Sequence, residues 1–89
     1  MIQESLIESV VLAVKKEGTG DSLLKLLKAN HPDTYFSCCN DEDVFGPDPI
    51  YASQTFNLYL VDSSDHCLSL TKDKEVASGI LIARVTDLE

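Results

Sequence analysis

Apolar residues recur every three to four positions through the first sixteen residues of the chain. The residues that repeat at a spacing of four are Ile2, Leu6, Val10 and Val14, and the stripe is widened by Ile7, Val11 and Ala13. This period places the apolar side chains on one face, so the sequence predicts an amphipathic helix over residues 2–16. Gly18 follows, and glycine readily adopts the left-handed conformation that ends a helix.

A second apolar stripe follows this short glycine-bearing turn. Its members are Leu23, Leu24, Leu26 and Leu27. Asp21 can cap this second helix through its side-chain oxygen, or Thr19 can do so slightly earlier. Pro32 disfavours helical geometry at the residue before it, so we expect the helix to end near Asn30. Two helices joined by a short turn form a helical hairpin.

The pattern then changes from the period of helices to the period of strands. Residues 34–39 are β-branched, aromatic and thiol-bearing, which favours a first strand. Residues 40–54 are expected to form a loop, because Pro47 and Pro49 exclude regular structure there. In residues 56–62 the alternating faces are Phe56, Leu58 and Leu60 on one side and Asn57, Tyr59 and Val61 on the other. Residues 66–71 predict a short strand, with Leu68 and Leu70 facing inward, and residues 79–85 predict the last one.

Two helices followed by strands predict an α+β protein. We expect an N-terminal two-helix hairpin packed on one face of a small, mainly antiparallel sheet of about four strands. A chain of 89 residues is expected to form a single domain, residues 1–89. The second face of the sheet would carry Tyr59 and Val61, together with Ile80 and Ile82. An apolar outer face on so small a domain indicates a homodimer or a protein partner, and a half-solvated sheet is an equal alternative.

The distribution of charge along the chain limits which classes of macromolecule can be binding partners. The net charge is −8. Residues 1–33 hold four lysines and five acids, which gives −1, and residues 34–89 hold three basic residues and ten acids, which gives −7. An acidic second half repels phosphate backbones, so we expect no nucleic-acid partner.

The sequence also indicates the compartment. No apolar run approaches the roughly 20 residues that span a membrane. The N-terminal residues carry acids where a signal peptide needs positive charge. We therefore expect a cytoplasmic protein without membrane association, whose three cysteines are reduced.

The cysteines and histidines are the candidate ligands for a soft metal. Structural zinc sites use paired ligands such as C-x₂-C, whereas Cys38 and Cys39 are adjacent and point to opposite faces if they lie in a strand. One of them could still join His66 or Cys67 if the first and third strands ended side by side. Cysteines in the strands of small domains are mostly core residues, so a structural role is favoured over a metal site.

Residues 40–48 gather four acids, which raises the question of a cation site. They do not form an EF-hand loop, because Phe45 and Ala52 would stand where oxygen ligands are needed. Catalysis by a cysteine is also disfavoured, because neighbouring acids raise a thiol pKa, and we expect no enzyme activity. What remains is a solvated acidic loop or a loop that meets a basic patch on a protein partner. The contact residues would then be Asp41, Glu42, Asp43 and Tyr59.

Four segments carry a resemblance. They are FSCCNDED at residues 36–43, NLYLVD at 57–62, HCLSLT at 66–71 and ASGILIARV at 77–85. Together they resemble a family of small bacterial proteins of unknown function that are often encoded in nitrogen-fixation gene clusters. The similarity extends over roughly residues 20–86, and HCLSLT is its most specific part.

The resemblance implies a genomic setting and no particular activity. The matching residues whose side chains could bind a metal or a partner are Cys39, Asp41, Asp43, His66 and Cys67. Cys38 is an additional thiol, and Arg84 stands where the family is expected to have an acid. Because nitrogen fixation handles iron and iron–sulfur clusters, the resemblance strengthens a metal or cluster site of Cys39, His66 and Cys67, with iron or zinc as the ion. A protein-binding accessory role in nitrogen fixation or its electron supply remains the preferred hypothesis.

Overall fold

The computed structural model describes residues 2–18, 20–44, 48–62 and 69–85, which form two helices followed by a mixed five-stranded sheet. The predicted α+β class is confirmed. The helices are α1 (Glu4–Glu17) and α2 (Asp21–Asn30). The strands are β1 (Tyr35–Asn40), β2 (Tyr51–Ala52), β3 (Phe56–Asp62), β4 (Ser69–Thr71) and β5 (Gly79–Arg84). A short 3₁₀ helix, Asp41–Asp43, follows β1.

The sheet has the strand order β1-β5-β3-β2, and β4 also pairs with β3. The pairs that β3 makes with β2, β4 and β5 are antiparallel. The edge strand β1 runs parallel to β5, so the sheet is mixed. Strand β2 lies inside the segment 40–54 that was predicted to be a loop, and that prediction was wrong for Tyr51 and Ala52, which pair with Leu58 and Asn57.

Glycines mark both ends of the connection between the helices. Gly18 ends α1 with φ at 86° and ψ at −166°, a positive-φ conformation that glycine adopts readily but that is not the predicted left-handed helical one. Its N–H donates to the carbonyl of Val14. Gly20 is the N-cap of α2, and no side chain caps this end. Asp21 is therefore the first residue of α2 and not its cap, and its carboxylate lies at the positive end of the helix dipole. Thr19 lies outside the described residues.

The core lies between the helices and one face of the sheet. Its largest fully buried side chains are Phe36, Phe56, Leu58, Leu60, Ile80 and Ile82 from the sheet and Val10, Leu23 and Leu27 from the helices. The placement of Ile80 and Ile82 on the second face was wrong. They lie opposite Leu60 and Leu58 in the register of β3 with β5, so all four face the helices.

The outer face of the sheet points away from the helices. Strand β5 contributes Gly79, Leu81 and Ala83 to it, by alternation with the two core isoleucines. Leu70 lies opposite Val61 and is half-buried on this outer face, so its predicted inward direction was wrong. Leu68 lies outside the described residues. Tyr59 and Val61 are on the outer face, as predicted.

Neither helix is long and apolar enough to cross a membrane, as far as the described ranges of the chain extend.

Candidate functional site

Polar side chains and a thiol gather on the outer face of the sheet at the end of β1. Cys39 lies opposite Ala83 in the parallel pair, and Asn57 lies opposite Ala83 on its other side. These three residues form a row across β1, β5 and β3. In the next row Leu81 lies between Ser37 and Tyr59. Period-two alternation therefore brings Cys39, Asn57 and Tyr59 to one region of one face.

The 3₁₀ turn after β1 folds its first residue back onto this face. One carboxylate oxygen of Asp41, Oδ1, accepts a hydrogen bond of 2.8 Å from Asn57 Nδ2 and one of 2.9 Å from the Tyr59 hydroxyl. The turn is closed by Val44, whose N–H donates to the carbonyl of Asp41 at 3.0 Å. Hydrogen bonds to an ionised carboxylate are stronger than those between neutral groups. Asp41 therefore fixes the turn to β3.

The Tyr59 phenol stays neutral in this environment. Its side chain is buried, with 7% of its surface exposed. Burial raises the pKa of Tyr59 above its ordinary value of 10.0, and the hydrogen bond to Asp41 raises it further. The proposed contact residue Tyr59 is thus placed beneath the turn, where it holds Asp41.

The Cys39 thiol is also held in its protonated form. Burial raises its pKa above the ordinary value of 9.0, and the carboxylates of Asp43 and Asp41 add to the effect. Arg84 acts in the opposite direction and is the smaller influence. Burial likewise raises the pKa of the Cys38 thiol, whose side chain packs against the core. A protonated thiol is a poor nucleophile and a poor metal ligand until a metal displaces its proton.

The other two acids of the turn face solvent. Glu42 and Asp43 are both exposed. Within the described ranges, no lysine or arginine forms an ion pair with either of them. The result is an acidic turn, residues 41–43, with one carboxylate directed inward and two directed outward.

The structure describes only one of the three predicted soft-metal ligands. Cys39 lies at the end of β1, whereas His66 and Cys67 lie outside the described residues. Among the residues that the structure describes, no three His, Cys, Asp or Glu side chains are grouped closely enough to hold a metal ion. The metal hypothesis stays a prediction.

A shallow cleft opens on the same outer face and spans the two rows that follow the row of Cys39. Its volume is about 120 Å³, and its lining residues are Tyr35, Ser37, Val61, Ser69, Leu70 and Leu81. Tyr35 is exposed, and Leu70 and Leu81 are half-buried. The outer face therefore combines an acidic turn at one end with a mostly apolar cleft toward the other.

Sequence reasoning missed the role of Asn57. The alternation of β3 placed Asn57 and Tyr59 on the same face, and this was correct. Their common acceptor, Asp41, lies 16 and 18 residues away in sequence, and its position depends on how the turn folds. The sequence did hold one indication of this role. Asn57 and Tyr59 place two hydrogen-bond donors next to each other on one face of β3, where a common acceptor can be expected.

Of three comparisons with known proteins, one finds a match. Comparison with curated proteins and with solved structures finds no match. A family model matches residues 9–85, which include most of α1, all of α2, the acidic turn and every strand described above. The chain belongs to DUF6129, a family of unknown function.

Proposed function

We propose that this protein is a small accessory protein that binds a partner protein through its acidic turn. The observation that carries the proposal is that the three acids of residues 41–43 have different environments. Asp41 is bonded to Asn57 and Tyr59 on the sheet, while Glu42 and Asp43 remain exposed. The partner would present a basic patch to these two carboxylates.

The fixed position of the turn supports this function. A loop that is already ordered loses less conformational entropy when a partner binds it. The charge of the chain also favours binding of a basic partner, because residues 34–89 carry −7 of the total −8. Such a field accelerates the encounter with a basic surface and weakens as salt is added. The apolar cleft farther along the same face would add contact area to the electrostatic attraction.

The biological setting rests on the resemblance and not on the geometry. The four segments described above are similar to proteins that are often encoded in nitrogen-fixation gene clusters. We therefore infer that the partner belongs to nitrogen fixation or to its electron supply, in the cytoplasm. The protein carries out no catalytic step in this proposal.

The proposal is tested by capture of partners from an extract of the host cell grown without fixed nitrogen. The bait is the immobilised protein, compared with the double variant Glu42→Gln/Asp43→Asn. The matched control is Glu17→Gln/Asp33→Asn, which removes the same charge from two exposed acids of the helical half. We expect a partner that the wild type and the control retain and the turn variant loses. Equal retention by all three would contradict the proposal.

The alternative function, handling of iron or zinc by Cys39, His66 and Cys67, is favoured by one observation. The carboxylates of Asp43 and Asp41 lie close enough to Cys39 to raise the pKa of its thiol. A thiol and two carboxylates therefore occupy the same region at the end of β1, although these described residues alone are not grouped closely enough to hold a metal ion. In this version the two carboxylates would act as outer-shell or hard ligands.

A further inference from the structure

The helical layer carries an apolar groove on the side opposite the acidic turn. The groove lies between α1 and the segment that enters β2, and its volume is about 480 Å³. Its apolar lining residues are Ile7, Val11, Leu12, Ile50 and Tyr51. Leu12 is 67% exposed, more than any other large apolar side chain among the described residues. An exposed leucine beside such a groove marks an interaction surface.

The charges that flank Leu12 are arranged in a self-complementary way. Glu8, Leu12 and Lys15 follow one another at spacings of four and three, so they lie along one line of the helix surface. Glu8 and Lys15 both line the groove. If two α1 helices pack antiparallel about a twofold axis beside residues 11 and 12, Glu8 of each copy faces Lys15 of the other. Val11 of each copy then faces Leu12 of the other.

The remaining groups around the groove are compatible with this pairing. Glu4 is already in an ion pair with Lys74 of the same chain, so it adds no unpaired charge. The Lys15 ammonium lies 5.9 Å from the centre of the Tyr51 ring, which keeps it at the groove wall. The helical half of the chain carries only −1, whereas the other half carries −7. Two copies therefore repel each other least when their helical layers meet.

We propose that the protein forms a symmetric homodimer through α1, with Leu12 of each copy seated in the groove of the other. A twofold interface uses the same patch on both copies. The line of Glu8, Leu12 and Lys15 is such a patch, because its acidic end on one copy meets its basic end on the other. The proposal is independent of the acidic turn, which lies on the other face of the sheet. A dimer through α1 leaves both acidic turns exposed and presents two copies of that surface to a partner.

Sedimentation velocity from about 1 μM to about 1 mM tests this directly. We expect a monomer–dimer equilibrium for the wild type. Leu12→Asn should raise the dissociation constant by at least about tenfold. The matched control is Leu26→Asn, which changes another exposed helical leucine and should leave the dissociation constant unchanged. A wild type that is monomeric throughout would overturn the proposal and leave the groove to a different partner. Equal effects of the two variants would also overturn it.

Charge exchange tests the register. Glu8→Lys and Lys15→Glu should each weaken the dimer, because each change places like charges together at both ends of the twofold interface. The double variant should restore the wild-type dissociation constant. A double variant no better than either single variant would contradict the antiparallel arrangement. Far-UV circular dichroism at low concentration checks that each monomer is folded.

Discussion

At the scale of single residues, Asp41 organises the candidate site. Its Oδ1 accepts from both Asn57 and Tyr59, so removal of one donor should loosen the turn without disturbing the core. We expect Tyr59→Phe to lower the free energy of unfolding by about 1–2 kcal/mol, because a hydrogen bond to a charged acceptor is lost. Asp41→Ala should lower the free energy of unfolding further, since it leaves the Asn57 and Tyr59 donors without their acceptor. Urea unfolding measures both.

The matched control for this prediction is Tyr51→Phe. The Tyr51 ring stacks on Phe56 with the ring centres 5.6 Å apart, and phenylalanine preserves that contact. Its hydroxyl makes no hydrogen bond within the described part of the chain. If Tyr51→Phe and Tyr59→Phe destabilise the protein equally, Asp41 is not anchored as described.

The same residues predict how stability depends on pH. The pKa values of Cys39 and Tyr59 are raised in the folded protein, mainly by burial, so the folded state holds these protons more tightly than the unfolded state. Their contribution to stability is fully present below pH 9 and is lost as the pH rises through the folded-state pKa values. We expect the free energy of unfolding to fall above about pH 9 as the thiol and the phenol lose their protons.

The variants Cys39→Ser and Tyr59→Phe check this assignment. Each removes one titrating group, so each should show a shallower alkaline decline than the wild type in urea unfolding measured at several pH values. An unchanged slope in both variants would mean that other groups cause the decline.

Metal content tests the alternative function at the residue scale. We expect anaerobically purified protein to contain far less than one iron or zinc ion per chain. No three potential ligands are grouped among the described residues, and the raised pKa of the Cys39 thiol makes displacement of its proton by a metal harder. Elemental analysis of the wild type, Cys39→Ser and Cys67→Ser measures this. Near-stoichiometric metal in the wild type that is lost from both variants would favour metal handling instead.

At the scale of elements, the meeting of β1 and β5 depends on a glycine. A Cβ atom on Gly79 would lie 2.4 Å from the carbonyl oxygen of Tyr35 and 2.6 Å from its Cβ. We therefore expect Gly79→Ala to push the two strands apart and lower the free energy of unfolding by about 1–3 kcal/mol. Thermal and urea unfolding measure the loss.

A second glycine substitution is the control. A Cβ on Gly20 meets no atom within 4 Å, and serine is a favourable residue at the start of a helix. Gly20→Ser should leave the stability unchanged or slightly raised. If Gly79→Ala is tolerated as well as Gly20→Ser, the strands do not approach as closely as described.

The elements also show how far the sequence predicts the fold. Strand β3 was predicted with its observed limits and faces, because its apolar and polar residues alternate, and the helices were predicted to within about two residues by their period. In β5 the residues 80–82 are all apolar, so alternation could not decide which of them face the core. The parallel pairing of β1 with β5 brings together segments about 40 residues apart in sequence, and no local pattern specifies such a partner.

At the scale of the whole molecule, two surfaces of different character lie on opposite layers. The sheet layer presents the acidic turn and the outer cleft, and the helical layer presents the groove beside Leu12. The site was only partly predictable at this scale. The acids of residues 41–43 were identified from the sequence, whereas the inward role of Asp41 required the position of β3 relative to the turn.

The most direct test of the central claim is the affinity of the captured partner as a function of salt. Isothermal titration at about 0.05 M and about 0.5 M salt compares the wild type with Glu42→Gln/Asp43→Asn. We predict that salt weakens wild-type binding strongly, and that the variant binds more weakly at low salt and responds less to salt. Equal affinity of the two proteins at both salt concentrations would contradict the claim that the acidic turn binds the partner.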